Sequence, residues 1–161
     1  MSVPPESRLM GLPDRVDRLV ALYRQVQATR MAGVPVCNLR LQVAATGFEP
    51  LPGSDGALGV LITPWFMNLV WLPDPACPAP VLPVGQLRRR AVGADAFDFI
   101  GTHENGVGAF ESCSLFSPMF EFGSQAAALA TADAVLQQLR PAPPVPPPPV
   151  PARRRFLLGA A

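Results

Sequence analysis

One apolar run, Gly59-Val60-Leu61-Ile62-Thr63-Pro64-Trp65-Phe66-Met67-Asn68-Leu69-Val70-Trp71-Leu72, constrains the fold more than any other part of the chain. Both tryptophans and a long aliphatic series fall within these fourteen residues. Val60 to Ile62 has strand composition. Pro64 has no N–H to give to a ladder, so it must stand at a strand end, a bulge or a sheet edge. Beyond it come Trp65, Phe66 and Met67 together. At about 1.5–3 kcal/mol per large apolar side chain, burying the run contributes several kcal/mol. The core forms around it, and any part left uncovered is a candidate docking surface.

On either side the pattern is α+β. Pro13 and Asp14 open a helix, and Val16, Leu19, Val20, Tyr23 and Val26 recur at helical spacing. The expected helix runs from about 13 to 31, with Arg15, Arg18, Arg24 and Arg30 toward water, and Gly33 and Pro35 end it. Leu39, Leu41, Val43 and Ala45 alternate with polar or small residues, which reads as a half-buried strand. A turn over 50–56 leads to strands at 57–63 and 67–72, and a weaker polar strand is expected over 84–92. Ala96–Glu104 and Val107–Phe116 flank Asn105-Gly106, the pair favoured in a type I′ hairpin turn. That register sets Cys113 opposite Asp98 and on the other face from His103. Ser124 opens a final helix to about Leu139, striped by Leu129, Ala132, Leu136 and Leu139. The expected fold is a mostly antiparallel sheet of five or six strands, with an N-terminal and a C-terminal helix packed on one face.

Four segments follow: a flexible N-terminus (1–12), a single α+β domain (13–140), a proline-rich spacer (141–151) and a basic-apolar tail (152–161). The spacer holds eight prolines in eleven residues. In polyproline II form it spans roughly 34 Å.

Charge and cysteine content exclude several functions. The net charge is +1, with −2 on residues 1–140 and +3 on the last 21. A mildly acidic body does not suit a nucleic-acid binder, and Arg88-Arg89-Arg90 reads as a solvated strand or loop. Cys37, Cys77 and Cys113 are odd in number and lack metal-ligand spacing, and His103 is the only imidazole, so no metal site or cofactor is expected. Unlinked cysteines suit a reducing compartment. Residues 1–13 do not form a signal peptide, and no run is long enough to cross a bilayer, so a cytoplasmic location without membrane insertion is expected. Nucleophilic catalysis needs an activated side chain with a base in reach. No such pairing, G-x-S-x-G or P-loop occurs, and the chain does not read as an enzyme.

The block from Gly59 to Asn68 resembles the HybE/HupJ family of nickel–iron hydrogenase assembly chaperones. Ser112-Cys113-Ser114-Leu115-Phe116-Ser117-Pro118-Met119 resembles that family's second signature, and Leu82-Pro83-Val84-Gly85 and the arginine–leucine tail fit as well. The resemblance spans roughly residues 14–160 and departs in the length of the proline spacer. It implies a non-catalytic helper that binds the hydrogenase small-subunit precursor, with its twin-arginine signal peptide, until maturation is complete. Other hydrogenase maturation factors are further implied partners. The candidate partner-binding residues are Thr63, Pro64, Trp65, Phe66, Met67, Phe116, Ser117, Pro118 and Met119, since methionine and aromatic side chains adapt to apolar peptides. The alternative is a redox or metal-transfer accessory using the cysteines, with Cys113 as the candidate redox residue. The tail Arg153-Arg154-Arg155-Phe156-Leu157 has the R-R-x-F-L form of a twin-arginine signal. Arg153, Arg154, Phe156 and Leu157 are therefore read as a pseudo-signal able to occupy the client site in cis.

Overall fold

A computed structural model describes residues 11–76 and 81–140. Most of the expected flexible N-terminus, Cys77, the proline spacer and the tail residues Arg153, Arg154, Phe156 and Leu157 lie outside the described residues.

Helix α1 (Leu12–Ala28) starts with proline in its first turn and Asp14 beside it, as the sequence implies. It stops short of 31. The Thr29 N–H returns to the Gln25 and Val26 carbonyls, and the Met31 N–H bonds the Val26 carbonyl, closing the last turn. Arg15 is not held in water as expected: it is half-buried and donates to the Pro73 carbonyl.

The six strands are β1 (Ala44–Pro50), β2 (Gly56–Ile62), β3 (Met67–Pro73), β4 (Leu87–Val92), β5 (Asp95–Glu104) and β6 (Gly108–Phe116). Their order is β1-β2-β3-β6-β5-β4, and every neighbouring pair is antiparallel. The first strand begins later than the alternation implied. The Leu41 N–H bonds the Asn38 carbonyl, so a turn occupies 38–41 and sends Leu39 outward, 88% exposed. The Gln125 side-chain amide then pairs with both backbone groups of Gln42, at 2.8 and 3.1 Å, in place of a ladder neighbour.

Helix α2 (Gln125–Leu139) is capped by Ser124, whose hydroxyl accepts from the Ala127 N–H at 3.1 Å. The two helices do not share one face. Leu58, Val60, Ile62, Met67, Leu69 and Trp71 pack with Ala128, Ala132, Leu136 and Leu139 of α2. Leu61, Val70 and Leu72 point the other way and pack with Leu19, Val16, Val20 and Tyr23 of α1. β2 and β3 are buried on both faces because their residues are apolar without alternation, and such strands require a cover on each side. The fold is thus α+β as expected, with the sheet sandwiched between its helices.

The β5–β6 hairpin also differs in detail. Glu104 pairs with Gly108, so Asn105, Gly106 and Val107 form a three-residue loop. Among the described residues no non-glycine has positive φ, and Asn105 therefore cannot sit in a type I′ turn; Gly106 (φ 89°) and Gly108 (φ 90°) take the left-handed positions. The pairing shifts by one residue from the expected register. Ile100 meets Ser112, which sets Cys113 across from Phe99 and on the same face as His103.

Arg90 is not solvated either. Its guanidinium makes bonds of 2.9–3.3 Å with the carboxylate of Glu111 and lies 3.7 Å from the centre of the Trp71 ring. Glu111 is only 2% exposed. Arg88 stands 3.6 Å from the same carboxylate, while Arg89 pairs with Asp98 at the surface. Two cations thus neutralise one buried acid, and the Trp71 ring face holds one of those cations in place.

Candidate functional site

The two proline-marked blocks meet at one end of the sheet. Between β2 and β3 the chain turns through Thr63-Pro64-Trp65-Phe66. The Thr63 hydroxyl accepts from the N–H groups of Trp65 (3.2 Å) and Phe66 (3.0 Å), and the Thr63 N–H donates to the Phe66 carbonyl at 2.8 Å. Phe66 stands edge-on to both Trp65 and Tyr23 of α1, at 5.7 and 5.6 Å. Across the sheet Met67 pairs with Phe116 beside a register shift, and Phe116 meets Phe122 edge-to-face at 5.1 Å. Ser117 and Pro118 then leave the strand, and Met119 turns back into the core.

Asn38 ties these pieces together. Its backbone N–H donates to the Pro64 carbonyl at 2.8 Å, and its side-chain amide donates to the carbonyls of Met119 (3.0 Å) and Phe122 (2.8 Å). Its own side-chain oxygen accepts from the Arg40 N–H at 3.1 Å. Sequence reasoning missed this residue. Nothing local marks its role, because the carbonyls its side chain bonds lie far away in the chain, and only Arg40 and Leu41 bond it locally.

The nine sequence-predicted residues divide by exposure. Thr63, Pro64, Met67 and Met119 are buried and support the surface from beneath. Trp65, Phe66 and Phe116 are partly open, while Ser117 and Pro118 are exposed. The sequence did not mark Leu39 or Phe120 as surface residues; they are 88% and 59% exposed, and each directly follows a residue of this end, Asn38 and Met119. Each borders a group in the Asn38 network: Leu39 follows Asn38 itself, Trp65 follows Pro64, and Phe120 and Glu121 lie between Met119 and Phe122. The Asn38 bonds thus hold three exposed or partly open apolar residues on neighbouring backbone at one end of the domain, a candidate apolar patch, with one acid, Glu121, next to Phe120 in the chain.

Cys113 sits apart from this patch on the face of β6 that carries Glu111, half-buried. Burial first, and the nearby Asp98 charge second, push its thiol up from the ordinary value. Burial does the same for Cys37. A protonated thiol is a poor nucleophile and a poor ligand. Cys113 and His103 share a face, but His103 pairs with Ala109, four residues along β6, or about 13 Å at strand rise. Among the described residues no three of His, Cys, Asp and Glu gather closely enough to hold a metal ion. No helix among them is long and apolar enough to cross a membrane. Tyr23, behind Phe66, is pushed up to about 12 by burial and by Glu104, with Arg30 opposing.

The fold is one already known. It is similar to the solution structure of HybE from Escherichia coli, with a TM-score of 0.65 at 22% identity over 83% of this chain and 84% of that one. That likeness defines the class of fold, two helices around an antiparallel sheet. The family model described as NiFe-hydrogenase assembly, chaperone, HybE matches residues 14–159. Protein HoxT of Cupriavidus necator is 50% identical, over 91% of this chain and 89% of its own length. Hydrogenase expression/formation protein HupJ of Bradyrhizobium diazoefficiens is 37% identical over 76% of this chain and 70% of its own. The chain belongs to the HybE family of nickel–iron hydrogenase assembly chaperones.

Proposed function

We propose that this chaperone acts without a reaction of its own, by holding the small-subunit precursor of a nickel–iron hydrogenase through that precursor's twin-arginine signal peptide. The observation that carries the reading is the uncovered apolar surface at the Pro64 and Pro118 turns. Trp65, Phe66, Phe116, Ser117 and Pro118 contact the client, extended by Leu39 and Phe120. Thr63, Pro64, Met67 and Met119 keep that surface in shape. Tryptophan and phenylalanine supply large contact area, and a patch fixed by hydrogen bonds loses little entropy on binding. Work of this kind belongs in the cytoplasm, before a signal-bearing precursor is exported.

Co-purification tests the reading. The chaperone is expected to retain the small-subunit precursor and to release it when the signal peptide is removed. Equal retention without the signal would move the grip to the mature domain. Stoichiometric iron, nickel or zinc in the isolated chaperone would instead favour a metal-transfer role using Cys37, Cys77 or Cys113.

A further inference from the structure

The apolar patch at the Asn38 network has a candidate occupant within the same chain. Leu39, Trp65 and Phe120 offer apolar surface, and Glu121 adds a carboxylate that makes no ion pair among the described residues. Residues 152–161 carry three arginines and no acid, followed by Phe156-Leu157-Leu158. Charge and hydropathy therefore match in kind: arginines for Glu121, and the Phe-Leu pair for the apolar side chains.

The reach is sufficient. α2 begins at the patch, where Ser124 follows the Met119–Phe122 turn, and its fifteen residues carry the chain about 22 Å away. At its far end the Leu139 carbonyl lies against Gly93, in the β4–β5 turn. The spacer 141–151, in polyproline II form, covers roughly 34 Å, enough to bring the tail back along the helix.

We propose that the chain's own segment Arg153–Leu157 docks in cis on the patch of Leu39, Trp65, Phe120 and Glu121 and competes there with the client. The inference rests on the reading that this patch receives the client's signal peptide. The tail then acts as a selectivity filter: only a segment that binds more tightly than a tethered arginine–phenylalanine–leucine sequence displaces it. For a tail of about 0.1 mM intrinsic affinity at roughly millimolar effective concentration, docking weakens any competitor about tenfold.

The test uses a fluorescein-labelled peptide of residues 152–161 and measures anisotropy with the full chain and with a chain ending at residue 151. The shortened chain is expected to bind the peptide about tenfold more tightly than the full chain, independently of protein concentration. Glu121→Gln, a surface change, is expected to weaken that binding several-fold in the shortened chain. No binding to the shortened chain, or equal binding to both, overturns the proposal. A difference that grows with protein concentration overturns it too, by assigning the tail to a neighbouring copy. A parallel titration with the small-subunit precursor separates the two ideas. Precursor binding without peptide binding removes the cis tail and leaves the client reading standing, whereas peptide binding without precursor binding does the reverse.

Discussion

Replacing Asn38 with alanine tests whether the patch is held as a unit. The side-chain amide donates to the carbonyls of Met119 and Phe122, and the residue is only 9% exposed. Alanine leaves both acceptors without that partner, at about 1–2 kcal/mol each when water cannot reach them. The bond from the Arg40 N–H is half in solvent and adds little. The backbone bond to Pro64 survives, so the expected loss is about 2–4 kcal/mol. With a urea slope of about 2 kcal/mol/M, the unfolding midpoint falls by roughly 1–2 M. Asn38→Asp sharpens the point, because an aspartate sets a carboxylate against two carbonyl oxygens and only its protonated form can donate. Its folded pKa then lies above the unfolded value, so that variant gains stability as pH falls and loses it as pH rises. A loss below about 0.5 kcal/mol for Asn38→Ala, or an aspartate variant steadier at pH 7 than at pH 5, would refute the reasoning.

Other outcomes follow from the same geometry. Glu111→Gln strands the Arg90 guanidinium over Trp71 and is expected to cost about 3 kcal/mol in denaturant unfolding. Changing Glu111 to Leu together with Arg90 to Met recovers most of that loss, since removing both charges also removes the need to pair them. Gly93→Ala is expected to lower stability by about 1–3 kcal/mol: φ is +63° there and an added Cβ would collide with the Leu139 carbonyl. Tyr23 binds its proton more tightly when folded, so the stability it supports is complete below pH 10 and lost toward pH 12. That loss is roughly 2–3 kcal/mol, and Tyr23→Phe should flatten this part of the pH profile.

How much of this was legible in the sequence depends on the range of the cause. Ser124 caps its helix through the next turn, and Pro13 opens the first one; both signals are local and both were readable. The run from Gly59 to Leu72 announced the central strands but also concealed which side each helix takes. With Leu61 and Val70 as apolar as Val60 and Leu69, the sequence pattern contains no face to choose. Asn105-Gly106 announced a hairpin, yet the glycine at 108 lets the loop take in Val107 and moves every β6 side chain by one place. The patch was half legible. Pro64 and Pro118 mark where strands stop, but only the chain's long-range path shows that Met67 and Met119 turn inward while Leu39 and Phe120 turn out. Asn38 was invisible because its role is to bond carbonyls more than eighty residues away.

The central claim is that an exposed apolar patch grips the client. Leu39→Ser with Phe120→Ser alters two exposed side chains, so the melting temperature should barely move. Calorimetric titration of the purified small-subunit precursor against this double variant and the native chain is the most direct measurement. The account predicts at least a tenfold weaker Kd for the variant; an unchanged Kd would contradict it.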